Sequence, residues 1–356
     1  MTEPADMAES PAGGADRAAA ALAVGIGAFV FYTSFFGAFE ILIQRAVFVA
    51  MFAPLGVLLF PLGKDRPWRA LGVAADAGIT LFTVAAAGYV VVNFERIMVD
   101  LPFAERIDVI LGFGTLLVIL ELARRSASFV FPLIVGGVVV YALFGDRIPG
   151  AFGHRGFDAY YLAEVMFLSD RGLWGMLVSI ASTTLAAFIL FGALLLHTGA
   201  GQTFFDLSAR AGGRSPGGAA KIATIASGLF GSISGSSVAN IATTGNFTIP
   251  LMKSLRYPAR FAGGVEAVAS TGGQLAPPIM GTAAFVMAEL VGVNYWTIAA
   301  VAFLPAFLFY LGVFTTVHLV AKRTGLGAVD QGELPDWREA LKWRQISPIL
   351  AGIAGL

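Results

Sequence analysis

Apolar runs long enough to cross a bilayer recur along this sequence, at roughly 18–38, 42–62, 72–93, 106–123, 127–145, 173–198, 260–292 and 296–320. About 20 apolar residues span the hydrocarbon layer as a helix, and a helix satisfies its own backbone where no water can. Only 13% of the residues are charged and 57% are hydrophobic, against about 25% charge in an average soluble protein. The expected fold is therefore an all-α polytopic membrane protein with about eight spanning helices. A ninth run begins near Pro348 and stops at Leu356, so the chain reads as truncated.

Basic residues set the expected orientation. Lys64, Arg66 and Arg69 follow the second run, Arg124 and Arg125 the fourth, Arg210, Arg214 and Lys221 the sixth, and Lys322 and Arg323 the eighth. All fall on one side if the N-terminus is cytoplasmic, with residues 1–17 as a disordered cytoplasmic tail. That tail has no basic n-region before an apolar stretch, so no signal peptide is read. The opposite connections, 100–105 and 146–170, are mixed or acidic.

One stretch breaks the alternation. Lys221 precedes Ile222–Met252, while Lys253, Arg256 and Arg260 follow it. Both ends then lie on the cytoplasmic side, and about 30 residues are too few for two full crossings. A re-entrant hairpin is expected, with arms of about 10–14 residues and a tip at Gly231–Ser237. The run 260–292 is itself interrupted, at Gly272, Gly273, Gln274, Pro277 and Pro278. Such breaks are tolerated at membrane depth only where protein or a water-filled cavity satisfies the freed groups, and secondary transporters hold ions and substrates at them.

The tip residues Ser232, Ser234, Gly235, Ser236 and Ser237, with Asn240, Thr243 and Thr244 downstream, supply neutral oxygens suited to a monovalent cation such as Na⁺. Glycine allows close backbone approach, and the start of the second arm offers a positive dipole end to an anion. The competing reading makes Gly228, Gly231 and Gly235 packing sites for small residues. The second break contributes Gly272, Gly273, Gln274 and Pro277, against the alternative of a plain proline kink. Glu266 lies one turn before Ser270 and is a candidate proton carrier or charge partner, since intramembrane charge is functional by default. Glu40, Arg45 and Asp76 are expected to pair structurally between spans.

Two connections look amphipathic: 158–173 on the outer interface and 202–211 on the cytoplasmic side. A short surface helix is expected at Trp337–Lys342. Other function classes find little support. The formal net charge is zero and no basic cluster offers a nucleic-acid surface. There are no cysteines, and His154, His197 and His318 are too scattered for a metal site. No phosphate loop, zinc-protease motif or nucleophile elbow occurs, so no cofactor is expected beyond a coupling ion, Na⁺ or H⁺. The hydroxyl-rich tip favours Na⁺ and Glu266 favours H⁺. The alternatives to a transporter are a passive channel-like or scaffold membrane protein and a membrane-embedded enzyme; for the enzyme an acid–base cluster is missing.

The segments GLFGSISGSSVANIATTGNFTIPLMK and GGVEAVASTGGQLAPPIMGTAAFVMAE resemble the large membrane subunit of tripartite ATP-independent periplasmic (TRAP) transporters. The phrasing of the second is most similar to the TAXI branch, whose small and large membrane subunits are fused. The resemblance implies a small-subunit-like four-helix region over 18–125 and the first half of the large subunit over 126–356, in an elevator-type fold. It also implies import of organic acids, commonly carboxylates, from a periplasmic solute-binding protein on a Na⁺ or proton gradient, in the bacterial inner membrane. By the same resemblance, ion-binding roles fall on Ser232–Ser237 and Gly272–Gln274. A second hairpin and its partner helix, which complete the family's site, are not in this sequence, so the fragment alone is not expected to transport.

Overall fold

The computed structural model describes residues 14–63, 69–100 and 103–330, and beyond them residues 332, 334–337, 343 and 347. Most of the tail 1–17, the helix expected at 337–342 and the run after Pro348 lie outside the described residues. Among those described, the regular structure is helical throughout, with no strand. This is the all-α membrane architecture that the apolar runs require. Among the described residues, six helical stretches are long and apolar enough to cross a bilayer: Gly14–Phe36, Ile41–Leu59, Arg69–Val92, Val130–Arg147, Met176–Gly212 and Tyr295–Thr324. The remaining two expected runs differ for physical reasons. The run 106–123 forms a helix that carries Arg106, Asp108, Glu121, Arg124 and Arg125, and 260–292 is split in two.

The chain forms two compact units, Met1–Thr183 and Thr184–Leu356. The first contains α1 (Gly14–Phe36), α2 (Ile41–Leu59), α3 (Arg69–Val92), α4 (Arg106–Ser126), α5 (Val130–Phe144), α6 (Ala159–Met166) and α7 (Met176–Ile180). Its core gathers Leu42 and Ala46 of α2 with Ala86 and Val90 of α3, closed by Phe167 and Trp174. The stretch 158–173 is thus not wholly interfacial. Asp158 caps the short α6 by accepting from the Tyr160 amide at 3.4 Å. The chain then turns inward, where the Trp174 indole donates to the Phe167 carbonyl at 2.9 Å.

Several polar side chains at depth in this unit are hydrogen-bonded, as burial favours. Arg45 Nη1 donates to the carbonyls of Asp170 at 3.0 Å and Trp174 at 2.5 Å, and Gln44 donates to the Ser182 carbonyl at 3.0 Å. Asp76 accepts from Arg125 at 2.6 Å and from the Leu62 amide at 3.0 Å, while Glu121 holds Arg124 and Arg125 from its own helix. Structural pairing therefore accounts for Arg45 and Asp76. Glu40 is exposed at the start of α2.

The second unit contains α8 (Ala186–Leu195), α9 (Gly201–Gly212), α10 (Gly218–Ser234), α11 (Ser237–Ser254), α12 (Ala259–Gly272), α13 (Thr282–Val291) and α14 (Tyr295–Thr324). Its core is alanine-rich: Ala219, Ala220 and Ala223 of α10 meet Met252 of α11, Ala262 and Val265 of α12 and Val317 of α14. Small side chains let helices approach closely where lipid removes the hydrophobic drive. Helices α10 and α11 form the expected hairpin, but their arms are 17 and 18 residues rather than 10–14. Residues 218–221 and 253–254 extend them, to about 26 Å each, still short of the ~30 Å hydrocarbon layer. Lys221, expected as a flanking charge, is only 2% exposed. Its ammonium donates to Ser215 Oγ at 2.6 Å and contacts His318 Nδ1 at 2.8 Å, tying α10 to α14.

Candidate functional site

The hairpin turns in two residues. Gly235 ends α10 with φ +61°, a conformation natural to glycine, and Ser236 caps α11 by accepting from the Ala239 amide at 3.3 Å. Ser234 Oγ donates to the Ser236 carbonyl at 3.4 Å, and Ser232 Oγ to the Leu229 carbonyl at 2.8 Å. Ser237 opens α11, half-buried. The hydroxyls of Ser232, Ser234 and Ser236 thus finish the two helix ends around the turn.

The second break lies against this tip. Helix α12 ends at Gly272, and the chain passes through a cis Pro277–Pro278 bond before α13 starts at Thr282. The Ile279 amide donates to the Ser232 carbonyl at 2.9 Å, and the Gly281 amide closes back on the Gln274 carbonyl at 2.8 Å. A Cβ on Gly231 would collide with Gly273 Cα, and one on Gly235 with the Met280 carbonyl. Here the glycines are needed for close approach of two interrupted backbones. The two breaks form one locus.

Carbonyls released by the break find partners on α14, which nothing in the sequence pattern announces. The Tyr295 hydroxyl lies 2.6 Å from the Pro278 carbonyl and 2.7 Å from that of Ile279, and its ring stacks on Phe285 at 4.2 Å. Tyr310 donates to the Ala269 carbonyl at 2.9 Å. A cavity of about 650 Å³ adjoins the locus, lined by Gly235, Gln274, Gly281 and Thr282 among largely apolar neighbours. The first turn of α13 has no side-chain cap.

Behind the tip, Glu266 of α12 is 1% exposed and surrounded by hydroxyls. Its Oε1 accepts from Ser227 of α10 at 3.0 Å and Ser270 at 3.1 Å, and closely from Thr244 of α11. Oε2 accepts from Thr248 at 2.5 Å. Asn240 bridges the hairpin arms, donating to the Ser227 carbonyl at 2.8 Å.

Of the residues singled out in the sequence, Ser232, Ser234, Gly235, Ser236, Ser237, Gly272, Gly273, Gln274 and Pro277 gather at the tip and break, and Asn240 and Glu266 lie just behind them. Thr243 stands apart: it is exposed and bonds only its own helix, at the Ala239 carbonyl, 2.9 Å away. The structure adds Ser227 and Thr248, which the sequence reading does not include, and turns Thr244 and Ser270, which it names beside the tip and the break, onto Glu266. Their signal lies in the four-residue spacing of Asn240, Thr244 and Thr248, and of Glu266 and Ser270, which places each set on one helical face.

Residues 114–353 match the family model of the DctM component of tripartite ATP-independent periplasmic transporters. The chain is 31% identical over 150 residues to the C4-dicarboxylate TRAP transporter large permease protein DctM of Pseudomonas aeruginosa, covering 42% of this chain and 35% of that protein. It is 32% identical over 100 residues to the 2,3-diketo-L-gulonate TRAP transporter large permease protein YiaN of Escherichia coli, covering 28% of this chain and 23% of that one. A Salmonella typhimurium protein, YgiK, is 26% identical over 206 residues, or 55% of this chain and 46% of its own. The chain thus spans less than half the length of each of these relatives. The two named TRAP relatives are transporter permeases, not enzymes. With the family model covering well over half of the chain, this protein belongs to the TRAP transporter family as a DctM-type membrane component.

Proposed function

We propose that the chain is the permease part of a gradient-driven secondary transporter that imports organic acids, carboxylates foremost, delivered by a periplasmic solute-binding protein in the bacterial inner membrane. The observation that carries this reading is the meeting of two interrupted helices, Gly231 and Gly235 of the hairpin against Gly273 and Met280 of the break. Interrupted helices facing each other are how secondary transporters build midplane sites. In this reading Ser232–Ser237 and Gly272–Gln274 contribute to ion and substrate binding, beside the cavity that Gln274 and Thr282 line. Glu266 is the charge partner of the site, and the coupling ion is Na⁺ or H⁺. The hairpin enters and leaves on the cytoplasmic side, as does the N-terminus. The first four helices serve as a fused small subunit of the TAXI kind, and transport proceeds by an elevator motion. Relatives named for C4-dicarboxylates and for 2,3-diketo-L-gulonate support the substrate class.

The test is uptake of a panel of labelled carboxylates into proteoliposomes that hold the full-length protein, with and without its binding protein, under a Na⁺ or a pH gradient imposed separately. Accumulation that requires the binding protein and one gradient is the expected result. Gradient-independent flux would replace this reading with a passive channel.

A further inference from the structure

A cavity of about 720 Å³ lies in the first unit between α2 and α3, far in sequence from the hairpin and the broken helix. Its walls are two helical stripes. Pro54, Val57, Leu58 and Pro61 follow one another at three- and four-residue spacing on α2, and Val73, Ala77 and Leu81 at four on α3, so each set keeps to one side of its helix. Arg69, which opens α3 and also lines the cavity, heads the second stripe by the same spacing. Val73 and Leu81 are 59% and 72% exposed, which leaves the trough open on the side where lipid tails lie.

The charges around it are unequally engaged. Asp76 is neutralised by Arg125 at 2.6 Å, and Asp16 of α1 has an interaction of its own. Arg69 is exposed and, among the described residues, forms no ion pair. From Arg69 to Leu81 the helix rises about 18 Å, close to half of the ~30 Å hydrocarbon layer. The trough therefore has the depth of one leaflet, with a cation at its head. An exposed apolar stripe by itself is ordinary on a membrane helix; a concave one headed by a guanidinium is not. A guanidinium presents paired N–H donors that match a phosphate, and basic pockets between membrane helices hold lipid headgroups.

We propose that this cavity binds one membrane phospholipid, with its phosphate on Arg69 and one acyl chain in the trough between α2 and α3. Phosphate and chain are both required: Arg69 alone is a surface cation, and the trough alone is a greasy face. The site is separate from the two interrupted helices and does not depend on what the protein carries. In the orientation proposed above, the lipid belongs to the inner leaflet.

The test is native mass spectrometry of the purified full-length protein, stripped of lipid in detergent and titrated with palmitoyl-oleoyl phosphatidylglycerol. A first phospholipid is expected to bind and to survive release from the micelle. R69A is expected to weaken that binding about tenfold or more, as loss of a charge-assisted hydrogen bond does. A77W, which fills the trough, is expected to abolish it, while L71W, exposed on another face of α3, should bind as the parent does. Two further probes separate phosphate from chain. Diacylglycerol with the same chains should bind the parent and R69A alike and weakly, and inorganic phosphate should not displace the phospholipid. Equal affinity of the parent and R69A, a bound lipid that A77W leaves in place, or displacement by inorganic phosphate would each overturn the proposal. Should A77W fail to fold, R69A and the diacylglycerol comparison decide.

Discussion

Gly231 and Gly273 stand so close that a Cβ on either would collide with the backbone of the other. One belongs to the first arm of the hairpin and the other to the break that follows α12, so the hairpin and the broken helix are seated on each other through bare backbone. Gly231→Ala and Gly273→Ala should each force the two apart. Overpacking of this sort costs about 1–3 kcal/mol, and, if the proposed transport function holds, uptake by the full-length protein should fall while the protein still inserts. Thermal unfolding in detergent and uptake, measured on the same preparations, check both parts.

Asn240 and Thr243 offer a sharper contrast, since they are three residues apart on one helix. Asn240→Leu removes the side-chain donor to the buried Ser227 carbonyl, a loss of about 0.5–1.5 kcal/mol. Thr243→Val changes only an exposed hydroxyl bonded within its own helix and should stay within about 0.5 kcal/mol of the parent. Melting temperatures of the two variants should separate clearly.

The turn itself is testable at Ser236, whose side chain is the cap of α11. Ser236→Ala should destabilise by about 1 kcal/mol, and Ser236→Asp should recover most of it. A loss of stability equal in both variants would mean that the cap is not what Ser236 contributes.

In the first unit the Asp76–Arg125 pair, at 2.6 Å with side chains 11% and 5% exposed, should be expensive to break. Asp76→Leu leaves Arg125 with Glu121 and the Phe60 carbonyl and should destabilise by about 3–5 kcal/mol, as removal of one partner of a buried pair does. Replacing both residues by leucine should restore part of that loss, a pattern that a double-mutant cycle on thermal stability would reveal.

Much of this is legible in the sequence because the bilayer leaves few options. Runs of apolar residues have to become helices, and the glycines, serines and prolines within two of them have to mark interruptions. The locus formed by Gly231, Gly235 and Gly273 is foreshadowed by those residues alone. The orientation of each polar face is not. Thr243 and Thr244 are adjacent in sequence, yet only Thr244 reaches Glu266, because packing of α11 on α12 decides which hydroxyl turns inward. Sequence alone makes the hairpin arms too short, since a lysine such as Lys221 looks like their outer limit. Burial against Phe314, His318 and Ser215 lets that lysine lie within the helix. Tyr295 and Tyr310 give no signal, since a tyrosine that serves a carbonyl across the fold looks in sequence like any aromatic in a span.

The re-entrant hairpin beside the broken helix is the central claim, and the absence of native cysteines makes its topology directly measurable. Single cysteines placed at Arg214, before α10, and at Ser254, at the end of α11, would be challenged with a membrane-impermeant maleimide in inside-out and right-side-out vesicles. Both positions should react from the cytoplasmic face and from that face alone. Labelling of the two from opposite faces would make α10 and α11 an odd number of crossings and contradict the account.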